Sequence, residues 1–107
     1  MTTDLDVRYP THPMEMDALD TAGLRARFLL QELFVPASVR LALAHHDRLV
    51  VGGVLTSGRT VPLRPPAELL AREFSDRREV AVVCLAGAGT VIAGPERYPM
   101  DVEDVLY

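Results

Sequence analysis

The sequence contains no lysine, no asparagine and no tryptophan. Without lysine there is no Schiff-base nucleophile and no phosphate-loop lysine, and without asparagine there is no N-glycosylation site. The one cysteine, Cys84, can form neither an internal disulfide nor a four-cysteine zinc site, which suits a reducing compartment. Because Cys84 lies between apolar neighbours, we expect it to be buried as a small hydrophobic residue.

Long apolar runs and a basic charge balance are also missing. The longest nearly apolar run, Val80 to Ala88, is too short to cross a bilayer. The polar N-terminus lacks the pattern of a signal peptide. The formal net charge of −4 argues against a dedicated nucleic-acid-binding protein. We therefore expect a cytoplasmic protein that has neither a nucleic acid nor a membrane as its partner.

The length of 107 residues predicts one domain. Residues 1–19 contain two helix-breaking prolines and are expected to form an extended N-terminal arm, followed by a domain over residues 20–107. One helix is predicted over Thr21–Leu33, where apolar residues recur at helical spacing behind a capping Asp20 or Thr21.

After this helix the apolar residues alternate in short segments that glycine and proline turns separate. The predicted strands are Val39–His46, Leu49–Leu55, Thr60–Leu63, Val80–Leu85, Thr90–Ala93, Arg97–Met100 and one that begins at Val105. The pair Gly52-Gly53 inside a strand indicates a bulge or a close backbone approach. The pattern predicts a mostly β fold, a sandwich or barrel with one N-terminal helix. Because the chain stops on an apolar strand-like triplet, we expect a truncation at Tyr107.

No complete catalytic constellation is visible in the residues themselves. His45 and His46 are adjacent on a predicted strand, so their side chains are expected on opposite faces and cannot share a metal ion in the usual way. His12 lies in the arm. Arg77 and Arg78 can bind an anionic group, because a guanidinium fork donates two hydrogen bonds to a carboxylate. The alternative is an exposed or interfacial charge cluster.

Five blocks of residues occur together in an order that resembles one known family. They are Leu19–Arg25 with Phe28-Leu29 and Phe34-Val35; His45–Arg48 with Val51–Gly53; Arg77–Glu79; Ala86–Thr90; and Asp104–Tyr107. From about Val7 to Tyr107 the chain resembles the N-terminal part of the 5-keto-4-deoxyuronate isomerases, also called 4-deoxy-L-threo-5-hexosulose-uronate ketol-isomerases. The resemblance implies a cupin-like domain, one half of a two-cupin enzyme of pectin breakdown.

The resemblance also implies an activity and its location. Such enzymes interconvert 5-dehydro-4-deoxy-D-glucuronate and 3-deoxy-D-glycero-2,5-hexodiulosonate, assemble as hexamers and bind zinc through ligands of the second cupin. We therefore expect no catalytic residue, no metal ligand and no zinc in this chain, which is expected to be structural and inactive alone. Its expected partners are the missing C-terminal cupin domain and further copies of the enzyme. The candidates for binding or interface contacts are His45, Asp47, Arg48, Arg77 and Arg78.

Two other interpretations stay open. The chain is a stand-alone, metal-free cupin-like binding module for a ligand such as a uronate, or it is an enzyme that holds a metal ion with His12 and either His45 or His46. Zinc bound to the isolated chain would favour the enzyme. A folded monomer without a further domain would favour the binding module.

Overall fold

The structure, a computed structural model, describes residues 4–107, so Met1–Thr3 of the predicted arm lie outside the described residues. Strands account for 32% and helices for 19% of the chain, and the strands form several small sheets. The fold is thus mostly β and compatible with the cupin-like class, as predicted. The strands are β1 (Asp4–Arg8), β2 (Ser38–Ala44), β3 (Leu49–Leu55), β4 (Val82–Val83), β5 (Gly89–Ala93), β6 (Glu96–Met100) and β7 (Val105–Leu106).

The described residues divide into two compact units, one that runs to Leu70 and one from Ala71 to Tyr107. The first unit contains a three-stranded sheet in the order β1-β2-β3, in which β1 is parallel and β3 antiparallel to β2. As the central strand, β2 is buried on both faces: Val39 and Leu41 lie on one face and Ala42 on the other. Together with Leu69 these residues form the small core of this unit.

Part of the predicted arm belongs to the sheet. In Asp4–Arg8 the apolar residues Leu5 and Val7 alternate with polar ones, and this segment pairs with β2 from Arg40 to Ala44. A 3-10 helix follows at Pro13–Ala18, where the ring nitrogen Nδ1 of His12 accepts a hydrogen bond from the Met14 backbone at 3.1 Å. The alternation of Leu5 and Val7 with polar residues is typical of a strand, but no strand was predicted in this segment.

The predicted helix is present but shorter than expected. Helix α1 spans Thr21–Phe28, and Asp20 caps it by accepting a hydrogen bond from the Gly23 backbone at 2.8 Å. The prediction that it continues to Leu33 was wrong, since Leu29 is already extended. None of the residues of α1 is buried, so no packed apolar face stabilises further turns.

The paired glycines of β3 accommodate two close neighbours without a bulge. The register with β2 is continuous, and Gly52 faces Leu41 directly. A Cβ atom at Gly52 would lie 2.6 Å from Cδ2 of Leu41, and one at Gly53 would lie 2.4 Å from the carbonyl oxygen of Leu33. Of the two predicted possibilities, the close approach is confirmed.

Three predicted strands differ from the structure. Strand β2 ends at Ala44 rather than His46, because the chain turns there toward β3. Thr60–Leu63 is not a strand, and Pro62 within it has no N–H group to donate to a neighbouring strand. The predicted strand Val80–Leu85 is reduced to Val82–Val83.

The second unit consists of two two-stranded antiparallel sheets. Strands β5 and β6 form a hairpin around Gly94-Pro95, and β4 pairs with β7. In this unit Met100 is the buried apolar side chain. Within residues 4–107, no helix is long and apolar enough to cross a membrane.

Candidate functional site

The five residues singled out by the sequence are all exposed and divide between the two units. His45, Asp47 and Arg48 lie in the turn between β2 and β3, whereas Arg77 and Arg78 follow the 3-10 helix Phe74–Asp76 of the second unit. Among the described residues, none of the four charged residues Asp47, Arg48, Arg77 and Arg78 forms an ion pair. Neither loop by itself resembles a buried catalytic centre.

The two adjacent histidines are held by different aromatic rings. Because β2 ends at Ala44, both histidines lie in the turn, so the prediction that strand alternation sets their directions was wrong. The ring of His45 stacks on Tyr9 with centroids 5.2 Å apart and planes 5° from parallel. The ring of His46 lies 5.2 Å from that of Phe28, tilted by 42°. The His45 backbone also donates to the Arg8 carbonyl at 2.9 Å.

A groove of about 390 Å³ lies next to this turn, where β1 ends. Its walls are Val7, Arg8, Tyr9, Pro10, Glu15, Ala26 and Arg27. The segment after β1, the 3-10 helix and the last turn of α1 each contribute to it, and the parallel pairing of β1 with β2 places Tyr9 against the histidine turn. No site was predicted here, because five of these residues lie in the segment predicted as an extended arm, while Ala26 and Arg27 lie in the predicted helix.

The two arginines of the groove are fixed by named partners. Arg8 donates to Oδ2 of Asp6 from Nε at 3.0 Å and from Nη2 at 2.7 Å, and its Nη1 donates to the carbonyl of Ala26. Arg27 donates from Nη1 to Oε2 of Glu15. The groove therefore contains two guanidinium groups that are already oriented, and it opens on the exposed ring of Tyr9.

The residues of the described chain do not fit a zinc site. Among residues 4–107 there is no group of three histidine, cysteine or acidic side chains that could hold a metal ion. His12 uses Nδ1 in a cap, while His45 and His46 stack on separate rings. Cys84 was predicted to be buried, but it is half-buried. It follows the short strand β4 directly, and its Sγ points at the carbonyl groups of Ala86 and Gly87.

The acidic residues on either side of Arg77-Arg78 have their own partners. Asp76 accepts hydrogen bonds from the backbone of Arg72 at 2.9 Å and Glu73 at 3.0 Å, which closes the 3-10 turn. A side-chain hydrogen bond with Glu79 raises the pKa of the exposed Tyr107 above its ordinary value of 10.0.

Comparison with known proteins places the sequence among curated sugar-acid isomerases. Over 107 residues it is 36% identical to 4-deoxy-L-threo-5-hexosulose-uronate ketol-isomerase 1 of Bacteroides thetaiotaomicron. It is 39% identical over 105 residues to the ketol-isomerase of Cereibacter sphaeroides, and 38% over 103 residues to that of Agrobacterium fabrum. The chain is a homologue of these ketol-isomerases. No family model matches it.

The match to the ketol-isomerases covers nearly all of this chain but only part of its relatives. The alignments include 100%, 98% and 96% of the chain, and in each case about 38% of the relative. This coverage is consistent with the N-terminal part of the ketol-isomerases that the sequence motifs resemble.

Proposed function

We propose that this chain forms the N-terminal, non-catalytic part of a uronate ketol-isomerase. The full-length enzyme interconverts 5-dehydro-4-deoxy-D-glucuronate and 3-deoxy-D-glycero-2,5-hexodiulosonate. The observation that carries this proposal is the identity of 36–39% over 96–100% of the chain to proteins named for such a reaction. The chain spans about 38% of the length of these relatives. We call the other 62% or so of such an enzyme the remaining part.

The chemistry of the reaction supports a site in the remaining part. Moving a proton between the carbons of an α-hydroxy carbonyl requires a positioned base and a group that stabilises the enediolate. The five candidate residues are exposed, and they are separated between two units. Residues 4–107 also contain no ligand cluster for zinc. We therefore assign both the zinc site and the catalytic residues to the remaining part of the enzyme.

The surface of the chain supports a packing role. In the β4–β7 sheet, Val83 and Val105 are paired across the strands and remain 52% and 62% exposed. Large exposed apolar faces mark interaction surfaces. The C-terminal cupin domain and the other subunits of a hexamer are the partners we propose.

Zinc content and isomerase activity of the purified 107-residue chain test this proposal. We expect neither zinc nor turnover from the chain alone. A chimera that joins the chain to the remaining part of the Bacteroides thetaiotaomicron relative is expected to bind zinc and to turn over the substrate, with the intact relative as the control. Zinc and turnover in the 107-residue chain would contradict the assignment of the site to the other part.

A second candidate function is a stand-alone, metal-free binding module. The groove beside Tyr9 favours it, since a pre-formed concavity lined by two arginines and an aromatic ring suits a small ligand. Size-exclusion chromatography distinguishes the two functions: a monodisperse, cooperatively unfolding monomer supports the module, and self-association through exposed apolar faces supports the packing role. A cytoplasmic location is part of both proposals.

A further inference from the structure

We propose that the outer edge of β1 pairs with the same edge of a second copy of this chain, antiparallel and about a two-fold axis at Val7. This pairing joins the three-stranded sheets of two copies into one continuous sheet. The inference rests on the backbone directions and the charge pattern of β1. It goes beyond the proposed function, because it names one interface and its register and needs neither zinc nor the remaining part.

The outer edge of β1 carries backbone groups that can receive another strand. The Arg8 carbonyl accepts a hydrogen bond from the His45 backbone at 2.9 Å, so the backbone of Arg8 faces β2. Because these directions alternate along a strand, the N–H and C=O groups of Leu5 and Val7 face away from β2. Within residues 4–107 no other strand pairs with this edge. An edge of this kind is a template for a further strand.

The side chains along this edge are complementary to their own reverse order. With the two-fold axis at Val7, Asp6 of one copy lies opposite Arg8 of the other, and Leu5 lies opposite Tyr9. Opposite charges and apolar–aromatic pairs across antiparallel strands stabilise a sheet. An axis at Asp6 or at Arg8 would instead place two like charges directly opposite each other, which destabilises the pair. The charges therefore select Val7 as the centre.

The ion pair within each copy leaves groups for the contact between copies. Arg8 donates to Oδ2 of Asp6 from Nε at 3.0 Å and from Nη2 at 2.7 Å, and its Nη1 donates to the Ala26 carbonyl. Since a guanidinium has five N–H donors, two remain for a second carboxylate. Asp6 is about half exposed, and these bonds use only its Oδ2, so Oδ1 can accept from Arg8 of the second copy. Pairing therefore does not require either internal ion pair to break.

The aromatic end of the edge is also available. Tyr9 is 71% exposed, and its stack on His45 fixes the ring beside the end of β1. A ring that is already held loses little conformational entropy when Leu5 of the second copy packs against it. Because the two-fold axis repeats each contact, the edge gains two charged pairs and two apolar pairs from one strand of five residues.

Sedimentation velocity and amide hydrogen exchange of the 107-residue protein test the proposal. A single strand pair is a small interface, so we expect a monomer–dimer equilibrium at about 0.1–1 mM protein. The N–H groups of Leu5 and Val7 should exchange more slowly as the protein concentration rises. A monomer throughout this range, or a dimer in which exchange at Val7 is unchanged, would overturn the proposal.

Two charge variants test the register. Asp6→Arg places two arginines opposite each other and Arg8→Asp places two carboxylates opposite each other, so each variant alone should dimerise at least about tenfold more weakly. In an equal mixture the two variants carry opposite charges at both positions and should form a heterodimer. Both have lost the internal ion pair, so that loss cannot explain the recovery. Absence of a heterodimer between two folded variants would contradict the register.

Val7→Pro tests the backbone of the edge without changing any charge. Proline removes the N–H that faces away from β2 and leaves the bonds between β1 and β2 in place. The matched control is Val7→Thr, which keeps this N–H and a β-branched side chain. We expect Val7→Pro to weaken dimerisation about tenfold or more and Val7→Thr to leave it unchanged, with similar far-UV circular dichroism. Equal dimerisation of the two would overturn the proposal even if a charge variant fails to fold.

A last control separates this edge from the exposed β4–β7 face. Val83→Ser makes that face more polar and should leave dimerisation through β1 unchanged. Loss of the dimer in Val83→Ser but not in Val7→Pro would assign self-association to the β4–β7 face and overturn the proposal. The proposed function is judged separately by zinc and turnover in the chimera. An active chimera together with a 107-residue chain that stays monomeric would remove the pairing and leave the isomerase assignment intact.

Discussion

Replacing Gly53 by alanine tests the closest backbone contact of the fold. A Cβ atom at this position would lie 2.4 Å from the carbonyl oxygen and 2.8 Å from the carbonyl carbon of Leu33. Because both are backbone atoms, a side-chain rotation cannot relieve the clash, and either β3 or the segment at Leu33 must move. Overpacking costs about 1–3 kcal/mol and occasionally more. We expect Gly53→Ala to lower the free energy of unfolding by about 3 kcal/mol, the upper end of that range.

Two matched variants give the scale for this loss. Gly52→Ala meets Cδ2 of Leu41 at 2.6 Å, the far end of a flexible side chain, so we expect a smaller loss of about 1 kcal/mol. Gly89→Ala meets no atom within 4 Å and should stay within about 1 kcal/mol of the parent protein. Thermal unfolding followed by far-UV circular dichroism separates them, since 3 kcal/mol shifts Tm by roughly 12–24 °C for a domain of this size. Equal Tm values for Gly53→Ala and Gly89→Ala would refute the close approach.

Three further predictions concern a cap, a titration and a charged loop. Asp20→Ala should lower the free energy of unfolding by about 1 kcal/mol, because the Gly23 N–H loses its acceptor; Asp20→Asn keeps an acceptor and should recover most of the loss in a urea titration. The Glu79 hydrogen bond that raises the pKa of Tyr107 favours the neutral phenol in the folded state, so its stabilising effect is present below pH 10 and is lost as the pH rises through the higher folded pKa. In Glu79→Leu the Tyr107 Cζ resonance should titrate closer to pH 10.0, and an unchanged midpoint would show that Glu79 is not the cause. In the chimera, Arg77→Ala should reduce assembly or thermal stability at unchanged zinc content, and loss of zinc from an intact oligomer would contradict this.

Local signals in the sequence account for the elements that were predicted correctly. The strand Leu49–Leu55 has the predicted bounds, since a run of valine and leucine follows a polar turn directly. The strands Thr90–Ala93 and Arg97–Met100 were predicted on either side of a glycine and proline turn, and Gly94 in that turn has the left-handed φ of 59° that glycine adopts readily. Each of these features depends on residues within a few positions of one another.

Contacts between distant segments explain what the sequence did not predict. The alternation of Leu5 and Val7 indicates a strand, but nothing local indicates that it pairs in parallel with β2, more than thirty positions later. The groove depends on that pairing, since it brings Tyr9 to His45 while α1 brings Arg27 to Glu15. The helix predicted from the spacing of apolar residues is also longer than α1. Periodicity shows which residues share a face of a helix, but it does not show whether another element covers that face.

The exposed apolar pair of the β4–β7 sheet gives the proposed packing role a physical basis. An isolated two-stranded sheet is marginally stable in water, and this one leaves the cross-strand pair Val83 and Val105 more than half exposed. Covering the exposed fraction of both side chains is worth about 2 kcal/mol. That is a large share of the net stability of a domain, typically about 5–15 kcal/mol. A partner that covers this face would therefore stabilise the second unit directly, as the packing role that we propose requires.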